Sequence, residues 1–136
     1  MNKMSCLFDS MHNLLTKHGI HFRDSHVLRL KITTFMDHNP NYKINDQTIK
    51  WWVEQVAEDM RMPSSGYISR MRHPSAWGGA MEISVMSKLF NIRINVSGVN
   101  NTNHEVDCTD GEPEAIFFLN WNGSHYTPVR VVYPLE

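Results

Sequence analysis

The apolar residues of this chain change their spacing once, near Asn91, and that change constrains the fold more than any other feature. Before it they recur every three or four positions; after it they alternate or run together. Leu7, Met11, Leu14 and Leu15 mark a first helix over about 6–17, stopped by Gly19. Asp24 or Ser25 caps a second helix carrying Val27, Leu28, Leu30, Ile32 and Phe35, which Asn39-Pro40 ends. Asn45-Asp46 offers a cap for a third, containing Ile49, Trp52, Val53 and Val56. Pro63-Ser64-Ser65-Gly66 breaks the pattern, and a short helical stretch follows at Tyr67 to Met71. A further helix, about Ala80 to Phe90, turns Met81, Val85, Met86 and Leu89 inward.

Beyond Asn91 the chain reads as extended. Ile92, Ile94 and Val96 alternate with polar residues, and Gly98 to Glu114 is a polar loop with room for a short strand. Ala115 to Asn120 suits a buried central strand, and Asn122-Gly123 is a hairpin signal returning the chain as a last strand, His125 to Tyr133. Helices first and strands last predict an α+β fold, a small central sheet flanked by helices. With 136 residues, 41% hydrophobic and 20% charged, the chain suits one domain with a real core.

Charge and composition exclude several functions. Thirteen basic residues against 14 acidic ones leave a net charge of -1, without the basic excess of a nucleic-acid binder. The longest apolar run, Ala115 to Leu119, is far short of the about 20 residues that cross a membrane. The start reads as no signal peptide, which predicts a cytoplasmic protein with its two cysteines, Cys6 and Cys108, reduced. Of eight histidines only His18, His21 and His26 lie close together, without a ligand spacing, so neither metal nor cofactor is expected.

Cys6 occupies the first turn of a helix. Partial positive charge there favours thiolate, and backbone N–H groups can receive an oxyanion during acyl transfer. The plainer reading is a small side chain that packs. His125 follows the Asn122-Gly123 turn at the mouth of a buried strand, from which it can reach a helix start. Cysteine and histidine distant in sequence and joined by folding are the arrangement of cysteine proteases.

These residues resemble the ovarian-tumour (OTU) cysteine proteases. Ser5-Cys6-Leu7-Phe8-Asp9-Ser10 is similar to that family's cysteine motif. Tyr67 to Met71 followed by Trp77-Gly78-Gly79-Ala80-Met81-Glu82-Ile83 resembles its central block, which Met86 to Val96 continues into a strand. Ile116 to Tyr126 resembles its closing strand, turn and His-Tyr. The four blocks occur in the family's order between Ser5 and Val129, and the central one is the most specific.

The resemblance implies an OTU-like fold and a thiol-dependent ubiquitinyl hydrolase. Cys6 would be the nucleophile and His125 its general base and acid, with the backbone N–H of Cys6 and of Lys3 or Met4 as oxyanion hole. Lys3 and Met4 stand where the family usually has Asp-Gly. Thr127 stands where a third catalytic Asp or Asn often follows the histidine; Asn120 or Asn122 could orient the imidazole instead, or the pair could act as a dyad. The implied partner is ubiquitin or a ubiquitin-like protein, bound by a monomer working in a cytoplasm, the host's if the protein is viral or bacterial. Two other readings stand beside this one: an impaired OTU module that binds ubiquitin or another protein, and a protease that processes its own polyprotein. The acidic run Glu105, Asp107, Asp110, Glu112 and Glu114 is either a solvated loop or a groove for ubiquitin's basic tail. Trp77 and Tyr126 read as structural aromatics, Glu82 as a local cap, and one of Trp51 and Trp52 as exposed.

Overall fold

Asp24 accepts a hydrogen bond from the Val27 N–H, Thr48 accepts one from the Trp51 N–H, and Glu82 reaches back to the Gly79 N–H. Each satisfies an N–H that an isolated helix leaves without a partner, and each opens one of the helices that cover the sheet. The computed structural model describes residues 3–134. Five α-helices run α1 (Cys6–Lys17), α2 (Ser25–His38), α3 (Ile49–Asp59), α4 (Tyr67–Met71) and α5 (Ala80–Phe90). Six strands follow or interleave: β1 (Lys43–Ile44), β2 (Gln47–Thr48), β3 (Ile92–Ser97), β4 (Asn103–Asp107), β5 (Ala115–Trp121) and β6 (Tyr126–Val132).

The helix ends follow from local chemistry. Gly19, at φ +91°, closes α1: the Gly19 N–H donates to the Thr16 carbonyl and the Ile20 N–H to that of Leu15. Asn91, left-handed at φ 54°, ends α5 and turns the chain straight into β3. One expectation is corrected here. Asn45-Asp46 does not cap α3; both residues have positive φ, 51° and 68°, and form the tight turn of a hairpin between β1 and β2. Asparagine and aspartate suit both roles, and the right-handed twist of a two-residue hairpin selects the turn. Thr48 takes the cap instead.

The main sheet has the order β4-β3-β5-β6, with β3 parallel to β5 and the outer pairs antiparallel. Ile92, Ile94 and Val96 of β3 and Ala115, Phe117 and Leu119 of β5 face the helices and join Leu7, Phe8, Met11, Leu14, Leu28, Ile32, Val85 and Met86 in one core. The architecture is α+β, as expected. The central strand is buried on one side only, because Ile116 and Phe118 point to the other face, where the Arg130 guanidinium lies 4.5 Å over the Phe118 ring. Among the described residues no helix is long and apolar enough to cross a membrane.

Candidate active site

Cys6 begins α1, and a 3-10 turn, Lys3–Ser5, leads directly into it. None of these residues has positive φ, so Met4 fits a right-handed turn where the family's motif carries glycine. Leu7 and Phe8, both fully buried, hold the start of α1 against the core. The Cys6 residue itself is 2% exposed.

Strand β6 reaches this helix start from the far end of the chain. The Tyr126 N–H donates to Cys6 Sγ at 3.3 Å. This contact ties the first residue of β6 to the first residue of α1. His125 immediately precedes the residue that makes this bond, and its ring makes no hydrogen bond among the described residues. Burial raises the Tyr126 phenol above its ordinary pKa, and negative charge at Cys6 and Glu82 adds to the rise.

The turn before β6 is held by one side chain. Asn122 Oδ1 accepts from the Ser124 N–H at 3.0 Å and the His125 N–H at 2.9 Å, while the Asn122 N–H donates to the His125 carbonyl at 3.2 Å. Asn122 thereby fixes the backbone of His125, and its oxygen is committed to that turn. Asn120 and Thr127 are direct neighbours across β5 and β6 and share a face of the sheet. Neither side chain makes a hydrogen bond among the described residues.

The segment before α5 is strapped to the cysteine loop. Ser5 Oγ donates to the Pro74 carbonyl at 3.2 Å. Gly78 packs so tightly on α1 that an added Cβ would lie 2.8 Å from Leu7 Cδ2 and 2.9 Å from Phe8 Cε2. Glu82 is fully buried: its Oε1 accepts from the Gly79 N–H at 2.8 Å and its Oε2 from the Tyr67 hydroxyl at 2.7 Å. Burial raises the Glu82 carboxyl, partly offset by those two bonds, and holds the Tyr67 phenol protonated. The local role expected of Glu82 is the one observed. Trp77 differs from expectation: it is 48% exposed and lines a cavity of about 560 Å³ with Met60, Arg70, His73 and Ala76. The flanking Ala76 and Gly78 take the interior positions, which leaves the larger ring on the rim.

Arg29 is a residue that the sequence reading passed over. It is 1% exposed, and its guanidinium donates to the Met71 carbonyl at 2.9 Å and to the Met4 carbonyl at 3.2 Å. Helical spacing could have found it, since Arg29 shares the stripe of Ile32, Thr33 and Met36, where a charge is out of pattern. The acidic run, in contrast, is largely engaged. Arg93 bonds Glu105 and Asp107, Lys88 bonds Asp110, and His18 lies 3.7 Å from Glu114. Among the described residues no group of three His, Cys, Asp or Glu could hold a metal ion, and Cys6 and Cys108 are free thiols.

A buried cysteine at a helix start is thus met by the first residue of an edge strand on an α+β frame. A model of the OTU-like cysteine protease family matches residues 5–134, and the chain belongs to that family. Among solved structures it is similar to an ovarian tumour domain in complex with ubiquitin, with TM-score 0.72, 18% identity, and 100% of this chain and 73% of that one covered. An OTU deubiquitinase of Wolbachia pipientis matches at TM-score 0.71 and 17% identity, over 98% of this chain and 85% of that one. The viral OTU domain protease of Dera Ghazi Khan virus matches at 0.64 and 20%, over 97% and 78%. A comparison of the sequence with curated proteins finds no match.

Proposed function

We propose that this chain is a cysteine-dependent deubiquitinase that hydrolyses the peptide or isopeptide bond after the C-terminal glycine of ubiquitin or a ubiquitin-like modifier. The observation that carries the reading is the Tyr126 N–H on Cys6 Sγ, which joins the strand that His125 immediately precedes to the helix that bears the thiol. Family membership supports it, as does the similarity to an OTU domain in complex with ubiquitin.

In this reading His125 takes the Cys6 proton, and the thiolate attacks the glycine carbonyl carbon. The carbonyl oxygen becomes an oxyanion held by the N–H of Cys6 and one from the Lys3–Met4 loop. When the tetrahedral intermediate collapses, the carbon–nitrogen bond breaks and the lysine amine leaves with a proton from His125. Water, deprotonated by His125, then attacks the thioester; its collapse releases the glycine carboxylate and restores the thiol. Asn122 positions His125 through the backbone. Thr127 and Asn120, paired across β5 and β6, are the candidates to orient the ring. The protein acts as a monomer in a cytoplasm and uses no cofactor.

A second reading, an impaired module that binds ubiquitin without turnover, is favoured by the 2% exposure of Cys6. One experiment separates the two. Ubiquitin carrying a C-terminal electrophile is incubated with wild type, Cys6→Ala and His125→Ala. An adduct that requires Cys6 and forms more slowly without His125 supports the hydrolase. Binding of ubiquitin without an adduct supports the module, and neither binding nor adduct refutes both.

A further inference from the structure

The guanidinium of Arg29 is buried in the core, and among the described residues its hydrogen-bond acceptors are two carbonyls and the Met71 thioether, with no carboxylate. It spans two segments far apart in sequence: Met4, two residues before Cys6, and Met71, the last residue of α4. Its Cζ lies 4.4 Å over the ring of Phe8, two residues after Cys6. Desolvating a guanidinium is costly, and an apolar side chain of similar volume would fill the space at less cost. Burial lowers its proton affinity, and the charges of Glu82 and Asp9 work against that. A fork that reaches two carbonyls at once is what distinguishes arginine from any other side chain of this size.

We infer that Arg29 is a positioning residue that clamps the Met4 carbonyl inward and so sets the oxyanion loop of Cys6, taking over the task for which the family usually has Asp-Gly. The inference rests on the hydrolase reading above. The peptide joining Met4 to Ser5 is planar and trans, so its C=O and N–H point in opposite directions. The Met4–Ser5 peptide lies between the Met4 N–H and the Cys6 N–H, so drawing the Met4 oxygen toward Arg29 holds the segment that carries both donors and fixes the path by which the loop enters α1. The other prong, on Met71, anchors the clamp to α4, whose Tyr67 is tied through Glu82 to the start of α5. The loop needs no glycine because a side chain, not a left-handed backbone, determines its course.

The test compares wild type with Arg29→Lys, which keeps the charge but as a single point donor, and with Arg29→Met. Hydrolysis of a ubiquitin C-terminal amide gives kcat and KM; alkylation of Cys6 by iodoacetamide gives thiol reactivity without an oxyanion. Losing one oxyanion donor costs about 10²–10³ in kcat. A displaced loop should cost about tenfold to a hundredfold in Arg29→Lys, with KM and the alkylation rate within about threefold of wild type. Unchanged kcat in a folded variant, or alkylation falling in step with kcat, overturns the inference while leaving the hydrolase reading intact. Should neither variant fold, NMR of the wild type decides. Slowly exchanging, inequivalent Arg29 Nη protons coupled to the Met4 carbonyl carbon support the clamp, and averaged, fast-exchanging ones overturn it. A wild type with an ordered clamp and no turnover refutes the hydrolase reading, and the role of Arg29 with it.

Discussion

Adding one methyl group at Gly78 tests whether the packing beneath the site is as tight as its geometry. A Cβ there would lie 2.8 Å from Leu7 Cδ2 and 2.9 Å from Phe8 Cε2. Both distances are well inside the ~3.5–4.0 Å at which carbon atoms attract. Leu7 and Phe8 are 1% and 0% exposed, so neither side chain can swing away into solvent. Overpacking of this kind costs about 1–3 kcal/mol. Unfolding entropy of about 2.1 cal/mol/K per residue gives about 0.29 kcal/mol/K for 136 residues. Gly78→Ala should therefore lower Tm by about 3–10 °C. Gly79→Ala is the control, because a Cβ there has nothing within 4 Å. Its cost is confined to a poorer N-cap, below about 3 °C. Since Leu7 and Phe8 directly follow Cys6 in α1, kcat/KM of Gly78→Ala should also fall about tenfold at a temperature where both proteins are folded. Thermal melts by circular dichroism and a ubiquitin-amide assay read both effects. A Gly78→Ala melt within 1 °C of wild type, or a Gly79→Ala shift as large as its own, would refute the packing argument.

Two further outcomes follow from the buried polar groups. Burial raises the Glu82 carboxyl above its ordinary 4.5, so the native state holds that proton more tightly than the unfolded chain. The stability this confers is complete at low pH and is lost as pH rises from about 4.5 through the raised native value. Glu82→Gln removes the slope, and the variant should gain on wild type between pH 4 and pH 8 in urea melts; parallel curves would contradict it. Asn122→Ala removes the acceptor of two backbone N–H groups in an exposed turn, about 1 kcal/mol, or roughly 3 °C in Tm. Asn122→Asp, which still accepts both, should restore most of that loss and of kcat; an Asp variant as impaired as the Ala one would assign Asn122 a different role.

Much of the frame is legible in the sequence. The bounds of α1, α4 and α5, the Asp24 cap, the Gly19 stop and the hairpin at Asn122-Gly123 all depend on contacts within a few residues, which periodicity and cap chemistry record directly. The β1–β2 hairpin was missed because Asn45-Asp46 satisfies a helix cap and a tight turn equally well, and only the preceding and following strand pairing separates them. The size of Trp77 suggests burial, but a ring at the rim costs little when Ala76 and Gly78 fill the interior. The acidic run offered a charge pattern, yet which cations meet it depends on the pairing of β3 with β4.

The sequence by itself determined where helices give way to strands, which faces are apolar, and that Cys6 starts a helix while His125 follows a turn. Those are properties of segments, fixed by spacings of two, three and four residues. Only the tertiary structure decided that β6 runs back along α1 so that the Tyr126 N–H meets Cys6 Sγ, that Arg29 spans Met4 and Met71, and that Glu82 meets the hydroxyl of Tyr67. Each of these pairs groups that no local period relates, and their meeting depends on sheet register and helix packing taken together. A buried guanidinium or carboxylate leaves only a misplaced charge in the sequence; its partners exist once the chain has closed around it.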